Sequence, residues 1–195
     1  MNAAARRAAW AEEHRAAIPG LAGRLEAGFD GLRERAALDP ALLAARPPGG
    51  GWSGALVLEH VGLMDRFVFV LVEKIAGRTR ARLARGEPWP RSAPGLEVVA
   101  RAALAPRVWP HPLHMTPTGT STPAESAAVL AGDRARALAW LLEFPSGEGT
   151  LHRIRMSRVE GDGRLDLYQF LELVARHAER HAAQIDRALA QARGA

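Results

Sequence analysis

Cysteine is absent from the 195-residue sequence, aromatic residues make up 6% of it, and long apolar runs are missing. The lack of cysteine excludes disulfide bonds, cysteine-ligated metal sites and a thiol nucleophile within the chain. No apolar run reaches the ~20 residues that a membrane-spanning helix needs, and the first residues, MNAAARRAAWAEEHR, lack the apolar core of a signal peptide. We therefore expect a soluble, cytoplasmic protein in which His, Asp, Glu or water would ligate any metal.

The net charge is weakly positive, with 26 Lys and Arg residues against 21 Asp and Glu residues, a formal charge of +5. Nucleic-acid-binding proteins usually concentrate their basic residues on one face. The densest basic cluster here is formed by Arg78, Arg80, Arg82 and Arg85, and aromatic residues are not interleaved with it. We therefore do not expect a nucleic acid as the partner.

Three helix-start signals precede the last predicted helix. Asp39-Pro40 is a cap followed by proline at the first helical position, which predicts a short helix. Ser53 is a cap that predicts a main helix at about 54–84. Thr122-Pro123-Ala124-Glu125 is a capping box that predicts another main helix at about 123–143.

Two more main helices complete the prediction. Residues 3–37 are helical in pattern, but we expect Pro19 to break them, leaving a main helix from about residue 20. Asp166 is expected to cap the last helix. Four main helices with short accessory helices and long connecting loops indicate an all-α four-helix bundle in one domain, 1–195. If the helices alternate in direction, the second and fourth main helices run parallel.

The last helix has a clear apolar face that two histidines interrupt. On a helical wheel His177 and His181, one turn apart, fall inside the apolar arc and can share one metal ion. The charged residues fall on the opposite face. The apolar arc contains Leu167, Phe170, Leu171, Val174, Ile185 and Leu189, and the charged face contains Glu172, Arg176, Glu179, Arg180, Asp186 and Arg187.

His60 lies on the apolar stripe of the second main helix and supplies a third imidazole. Three neutral imidazoles leave a metal ion with open positions, which is typical of catalytic sites. Gln184, one turn beyond His181, is placed to orient a ligand. The alternative is that the histidines are structural, each satisfied by local hydrogen bonds. The other members of the stripe are Leu56, Leu63, Met64, Phe67 and Leu71.

The sequence resembles the DinB-like superfamily of four-helix bundles. The resemblance rests on Gly51-Trp52-Ser53, on His60 seven positions beyond Ser53, and on LDLYQFLELVARHAERHAAQI near the C-terminus, and it covers about residues 18–190. It implies that His60, His177 and His181 form the family's metal triad, commonly described with nickel or zinc. It also implies a homodimer and, from some relatives, a low-molecular-weight thiol as co-substrate.

Three functional hypotheses follow from these observations. The first is a metal-dependent enzyme acting on a small molecule, either a hydrolase or a thiol-dependent transferase, with no catalytic residue assigned. The second is a non-catalytic metal- or ligand-binding stress-response bundle, and the third keeps the fold with structural histidines. His111 and His114 are hypothetical further ligands or lid residues, although solvent-facing loop histidines are the stronger interpretation. His14 and His152 are expected at the surface.

Overall fold

The computed structural model of the chain describes residues 3–88, 95–97, 99–100, 112–156 and 163–193; among residues 3–15 the only side chain described is that of residue 12. Within these ranges there are five α-helices, two single-turn 3-10 helices and one two-stranded antiparallel sheet. The elements are α1 (Ala3–Ala36), α2 (Pro40–Ala44), α3 (Gly54–Ala84), α4 (Pro123–Glu143) and α5 (Leu167–Arg193), the 3-10 helices Leu113–Met115 and Glu148–Thr150, and the strands β1 (Ile154–Arg155) and β2 (Arg164–Leu165).

The predicted helix starts are confirmed by the hydrogen bonds at each cap. The Asp39 carboxylate accepts from the backbone N–H of Ala41, and the Ser53 hydroxyl accepts from that of Leu56. Both bonds of the capping box at Thr122 are present. The main helices α3 and α4 therefore begin and end at the residues that the sequence predicts.

The predicted break at Pro19 is wrong, because α1 is continuous through it. A proline inside a helix removes one N–H donor and leaves a carbonyl one turn earlier without its partner. Residues 16, 17, 19 and 20 are exposed, so water can satisfy that carbonyl. Beyond the proline, the buried side chains of α1 give it a core-facing stripe. These are Leu21, Leu25, Phe29 and Leu32.

Ion pairs show that α1 and α5 run parallel. Arg24 near the middle of α1 pairs with Glu172 near the start of α5, at 2.8 Å. Farther along both helices, Arg35 pairs with Asp186 at 2.6 Å. Residue numbers therefore increase in the same direction along the two helices.

Helix α3 runs antiparallel to α5 and parallel to α4. Gly54 at the start of α3 packs against Ile185 in the second half of α5. Contacts between α3 and α4 follow the same direction along both helices. Gly62 of α3 packs against Val129 of α4. Phe69, about two turns further along α3, packs against Trp140 of α4 with ring centroids 5.0 Å apart.

The four main helices thus run up, down, down and up, which corrects the alternating order assumed from the sequence. Helix α3 and helix α4 can be parallel because the connection between them, residues 85–122, is long enough to return along the bundle. Helices α1 and α3 lie diagonally opposite, as do α4 and α5. Each helix therefore packs mainly against the two members of the other diagonal pair.

The buried face of α3 differs from the predicted stripe. Phe67 is 41% exposed, and Leu63 and Leu71 are only partly buried. Helix α3 packs between α4 and α5, so its buried face is broad and is centred on β-branched residues, while His60 remains within it. The apolar β-branched residues of this face, each fully or almost fully buried, are Val57, Val61, Val68, Val72 and Ile75.

The apolar arc of α5 is confirmed, but Glu172 does not lie on an exposed face as predicted. All six predicted apolar residues of the arc are buried, and Glu172 itself is 1% exposed. Its carboxylate accepts hydrogen bonds from Arg24 of α1 and from Arg176 one turn later. Two guanidinium groups stabilise the buried charge. Arg24 lies on α1, so a helical wheel of α5 alone does not show this partner.

Candidate metal centre

The last helix is held at its first turn by reciprocal bonds between Asp166 and Gln169. The backbone N–H of Gln169 donates to the Asp166 carboxylate at 2.9 Å, and the backbone N–H of Asp166 donates to the Gln169 side chain at 3.0 Å. This cap confirms the predicted start of α5. It fixes the helix whose next turns carry His177 and His181.

Three histidines meet in the core near the end of the bundle where α3 begins. His60, His177 and His181 each offer a ring nitrogen, and these nitrogens lie within 4.8 Å of one another. The ring centroids are 5.4 Å apart for His60 and His177, 5.0 Å for His60 and His181, and 4.2 Å for His177 and His181. The structure therefore brings together the three histidines that the sequence selects.

Hydrogen bonds set the orientation of two of the rings. The Nδ1–H of His60 donates to the backbone carbonyl of Met115 at 2.8 Å, since a carbonyl can only accept. The Nδ1–H of His181 donates in the same way to the side-chain oxygen of Gln184 at 2.8 Å. Each bond places the proton on Nδ1 and leaves the lone pair on Nε2, which is the tautomer that a metal ligand needs.

His177 differs from the other two because its Nδ1 is buried and has no hydrogen-bond partner among the described residues. An unpartnered buried ring nitrogen is costly, by about 1–3 kcal/mol. A ligand shared with the neighbouring rings would remove that cost. This orphaned atom is the observation that best fits a bound ion.

The histidines of α5 are held in the neutral form. Burial, followed by the effect of His60, lowers the pKa of His181 to about 3. Burial also lowers the pKa of His177 well below its ordinary value, with further contributions from His181 and His60. Both rings are therefore unprotonated at neutral pH, as metal ligation requires.

One segment of the long connection contacts the cluster, and we call residues 112–120 the strap. It carries the Met115 carbonyl that orients His60. Glu59, next to His60 in α3, anchors the strap, because its carboxylate accepts hydrogen bonds from Thr118 and Gly119. Burial opposes ionisation of Glu59, but these hydrogen bonds, with one from Thr120, outweigh it and keep the pKa below its ordinary value.

Trp52 closes the cluster on another side. Its ring centroid lies 4.8 Å from that of His60, and the residue is partly buried at the turn that precedes α3. The contact indicates that Trp52 is a packing residue at the start of α3. It also restricts the space around His60.

The remaining histidines do not join the cluster among the described residues. His114 is exposed and contacts Phe67, with ring centroids 5.6 Å apart. His152 is partly buried near α3 residues some distance beyond the cluster. His111 and the side chain of His14 lie outside the described residues.

The sequence did not identify Met115 and Glu59 as parts of the site. A backbone carbonyl has no sequence signal, so the role of Met115 could not be read from residue type. Glu59 lies off the predicted apolar stripe, so helical periodicity gives no reason to place it in the site. Its position next to His60 and the threonines at 118 and 120 were the available signal, since threonine hydroxyls and loop N–H groups are typical partners of a buried carboxylate.

Comparison with known proteins gives one match. The family model described as the DinB superfamily matches residues 24–185, a range that runs from α1 into the second half of α5 and includes all three histidines. No curated protein and no solved structure matches the chain.

Proposed function

The chain belongs to the DinB superfamily, as its sequence motifs predict, and on that premise we propose that His60, His177 and His181 bind one divalent transition metal ion, nickel or zinc. The observation that carries the proposal is the pair of bonds at Nδ1 of His60 and His181, which place the proton on Nδ1 and therefore the lone pair on Nε2 of each ring. The Nδ1 of His177, which is buried and has no partner among the described residues, supports the same conclusion.

The spacing of the ring nitrogens fits a metal ion after a small adjustment. Nitrogens at 2.0–2.1 Å from one ion lie about 3–3.4 Å apart. The three nitrogens lie within 4.8 Å of one another, so the most distant pair must approach by at most about 1.4–1.8 Å. Small rotations of the imidazole rings are sufficient for such a change.

We further propose that the site is that of a metal-dependent enzyme, a hydrolase or a thiol-dependent transferase. Three histidines leave coordination positions open, and a bound divalent ion supplies a Lewis acid that lowers the pKa of a coordinated water or thiol. The absence of cysteine means that a low-molecular-weight thiol would have to come from a co-substrate. His60 and His181 would be kept in place by Met115 and Gln184, while Trp52 and the strap limit access of bulk water.

A non-catalytic metal-binding role is the second candidate, because in the described part of the chain the cluster consists of the three histidines without a carboxylate. A hydrolase often positions a general base beside its nucleophile.

The family resemblance also leads us to propose a homodimer and a single domain of the DinB type. Within the described residues no helix is long and apolar enough to span a membrane.

Metal binding is tested by calorimetric titration of chelator-stripped protein with nickel and with zinc. We expect one ion per chain in the wild type and loss of binding in His60→Ala, His177→Ala and His181→Ala. His152→Ala is the matched control, because it removes an imidazole outside the cluster, and it should bind as the wild type does. At a hundredfold excess over Kd, metal should stabilise the fold by about 2.7 kcal/mol. Equal binding by all four variants would refute the proposal.

Turnover separates the enzyme from the binding protein. The metal-loaded wild type is incubated with ester and amide substrates, and with electrophiles in the presence and absence of a small thiol. We expect turnover that requires metal and that is lost in His181→Ala but kept in His152→Ala. If metal binds as proposed but no substrate is consumed, the non-catalytic role is favoured.

A further inference from the structure

A cavity lies on α3 far from the histidine cluster. It has a volume of about 590 Å³ and lies between the second half of α3 and the segment that contains β1. Arg78, on its wall, follows His60 by 18 positions on the same helix, so the two residues are separated by about 27 Å along the helix axis. The cavity is thus a separate feature from the proposed metal site.

Basic side chains dominate the wall of this cavity. Lys74, Arg78, Arg82 and Arg85 recur at intervals of three or four residues, and therefore share one face of α3. Like charges at such spacing repel one another along a helix. Glu87 is the carboxylate that compensates them, through ion pairs with Arg82 and Arg85 at 2.6 and 2.8 Å.

The other two cations of the wall have no such compensation. Across the described ranges, neither Lys74 nor Arg78 forms an ion pair or a side-chain hydrogen bond. Arg80, on the same helix but on another face, pairs with Glu73 at 2.9 Å and with Glu143 at 2.5 Å. Uncompensated charge is therefore a property of the cavity wall and not of every arginine on α3.

The opposite wall of the cavity holds His152 and the apolar side chain of Ile154. Burial lowers the pKa of His152, and the positive charges of Arg78, Arg82 and Arg164 lower it further. The imidazole is therefore neutral at neutral pH, and it is sensitive to any anion that enters between it and the arginines.

We propose that this cavity binds an organic phosphate, with its phosphate group between Lys74 and Arg78 and its organic part against Ala81 and Ile154. Guanidinium groups bind phosphate oxygens in a bidentate manner, and a phosphate monoester carries about −1.5 to −2 charges at pH 7. Four cations and one carboxylate leave the wall an excess of about three positive charges, which suits a dianion. The volume is typical of small-molecule sites.

The lining favours a small phosphate ester over single-stranded nucleic acid. Proteins that bind single strands stack successive bases on aromatic side chains along a groove. Among the described residues, those that line this cavity include His152 but no Phe, Tyr or Trp. The proposal is independent of the proposed metal site, since it involves other residues and needs no metal.

The test uses the full-length chain and phenyl phosphate as the probe, at 150 mM salt and pH 7.5. Calorimetry should show saturable one-to-one binding, and the His152 ring resonances in NMR spectra should shift on addition of the probe. Arg78→Gln should weaken binding at least tenfold, as expected for the loss of a charge-assisted hydrogen bond. Arg80→Gln is the matched control with the same change of charge on the same helix, and it should weaken binding less than threefold.

Several results would overturn this proposal. Wild-type protein that shows no saturable binding of phenyl phosphate would do so. Equal weakening by Arg78→Gln and Arg80→Gln would show a diffuse effect of net charge instead of a site. A single-stranded oligonucleotide whose affinity grows with length and exceeds that of phenyl phosphate would replace the small-molecule site with a nucleic-acid surface.

Discussion

The substitution Glu59→Gln tests whether the strap contributes to the metal site. The Glu59 carboxylate accepts bonds from the backbone N–H groups of Thr118 and Gly119 and from the Thr118 hydroxyl. These bonds tie the strap to α3, and the same strap supplies the Met115 carbonyl to His60. We expect the variant to bind nickel 10–100-fold more weakly while the three histidines remain in place.

The magnitude follows from the bonds that the amide cannot make. Glu59 Oε2 accepts from the Gly119 N–H at 2.7 Å, and Oε1 accepts from the Thr118 N–H at 3.1 Å and from its hydroxyl at 2.9 Å. In glutamine one oxygen becomes an NH₂ group, which cannot accept, so at least one bond to a charged group is lost, about 1.5–3 kcal/mol. Loss of a residue that orients a ligand usually costs 10–100-fold in metal affinity, about 1.4–2.8 kcal/mol. The two estimates agree.

Calorimetric titration of the stripped variant with nickel at pH 7.5 measures the effect. Glu125→Gln is the matched control, because the Glu125 carboxylate also accepts two bonds in this part of the chain, from the backbone N–H and hydroxyl of Thr122. These bonds stabilise the start of α4 and do not involve the strap residues that face His60. The control should lose stability and keep its nickel affinity. A Kd for Glu59→Gln within twofold of the wild type would refute the role assigned to the strap.

Two further predictions concern stability and pH in the stripped protein. Because the pKa of His181 is lowered to about 3 and that of His177 well below its ordinary value, only the unfolded chain takes up protons at these positions as pH falls below about 6.5. The free energy of unfolding should then fall by about 1.4 kcal/mol per pH unit for each histidine. Urea unfolding between pH 7.5 and 4.5 should show a smaller fall in His181→Gln than in the wild type. The same dependence of unfolding free energy on pH in both proteins would contradict this. Burial and then Asp133 raise the pKa of Asp65 well above its ordinary value, so its folded state loses stability as pH rises above about 3.8. The free energy of unfolding of Asp65→Asn, relative to that of the wild type, should therefore increase by at least about 1 kcal/mol from pH 4 to pH 7.5. A difference in unfolding free energy that does not change with pH would contradict this.

Local sequence signals were sufficient to predict where α3, α4 and α5 begin, but not where the first main helix begins. Ser53 and Thr122 act within three residues of themselves, through hydrogen bonds to the first turn, so their effect does not depend on the rest of the fold. The break expected at Pro19 was wrong because the effect of a proline, unlike that of a cap, depends on the surrounding fold. The cost of one missing hydrogen bond is modest where the backbone is exposed, and the buried residues that follow hold the helix in place.

The charged and polar core was not predictable from single helices. Glu172 is buried because Arg24 comes from another helix, and a helical wheel of α5 cannot contain that partner. Asp65 is fully buried in α3 with neither carboxylate oxygen hydrogen-bonded among the described residues. Since burying such a group is unfavourable, apolar periodicity places it at the surface. The burial of both residues therefore depends on how the helices pack against one another, which periodicity does not encode.

The direction of the helices explains why the three histidines meet at one level. Periodicity identifies the face on which His60 lies but not whether α3 runs along or against α5, and a parallel pair would need a stagger of about 6–12 Å. The helices are antiparallel, and Gly54 packs against Ile185. Advancing six residues along α3 from Gly54 reaches His60, and going back six residues along α5 reaches position 179, midway between His177 and His181. The register of the antiparallel pair therefore aligns the rings without any stagger.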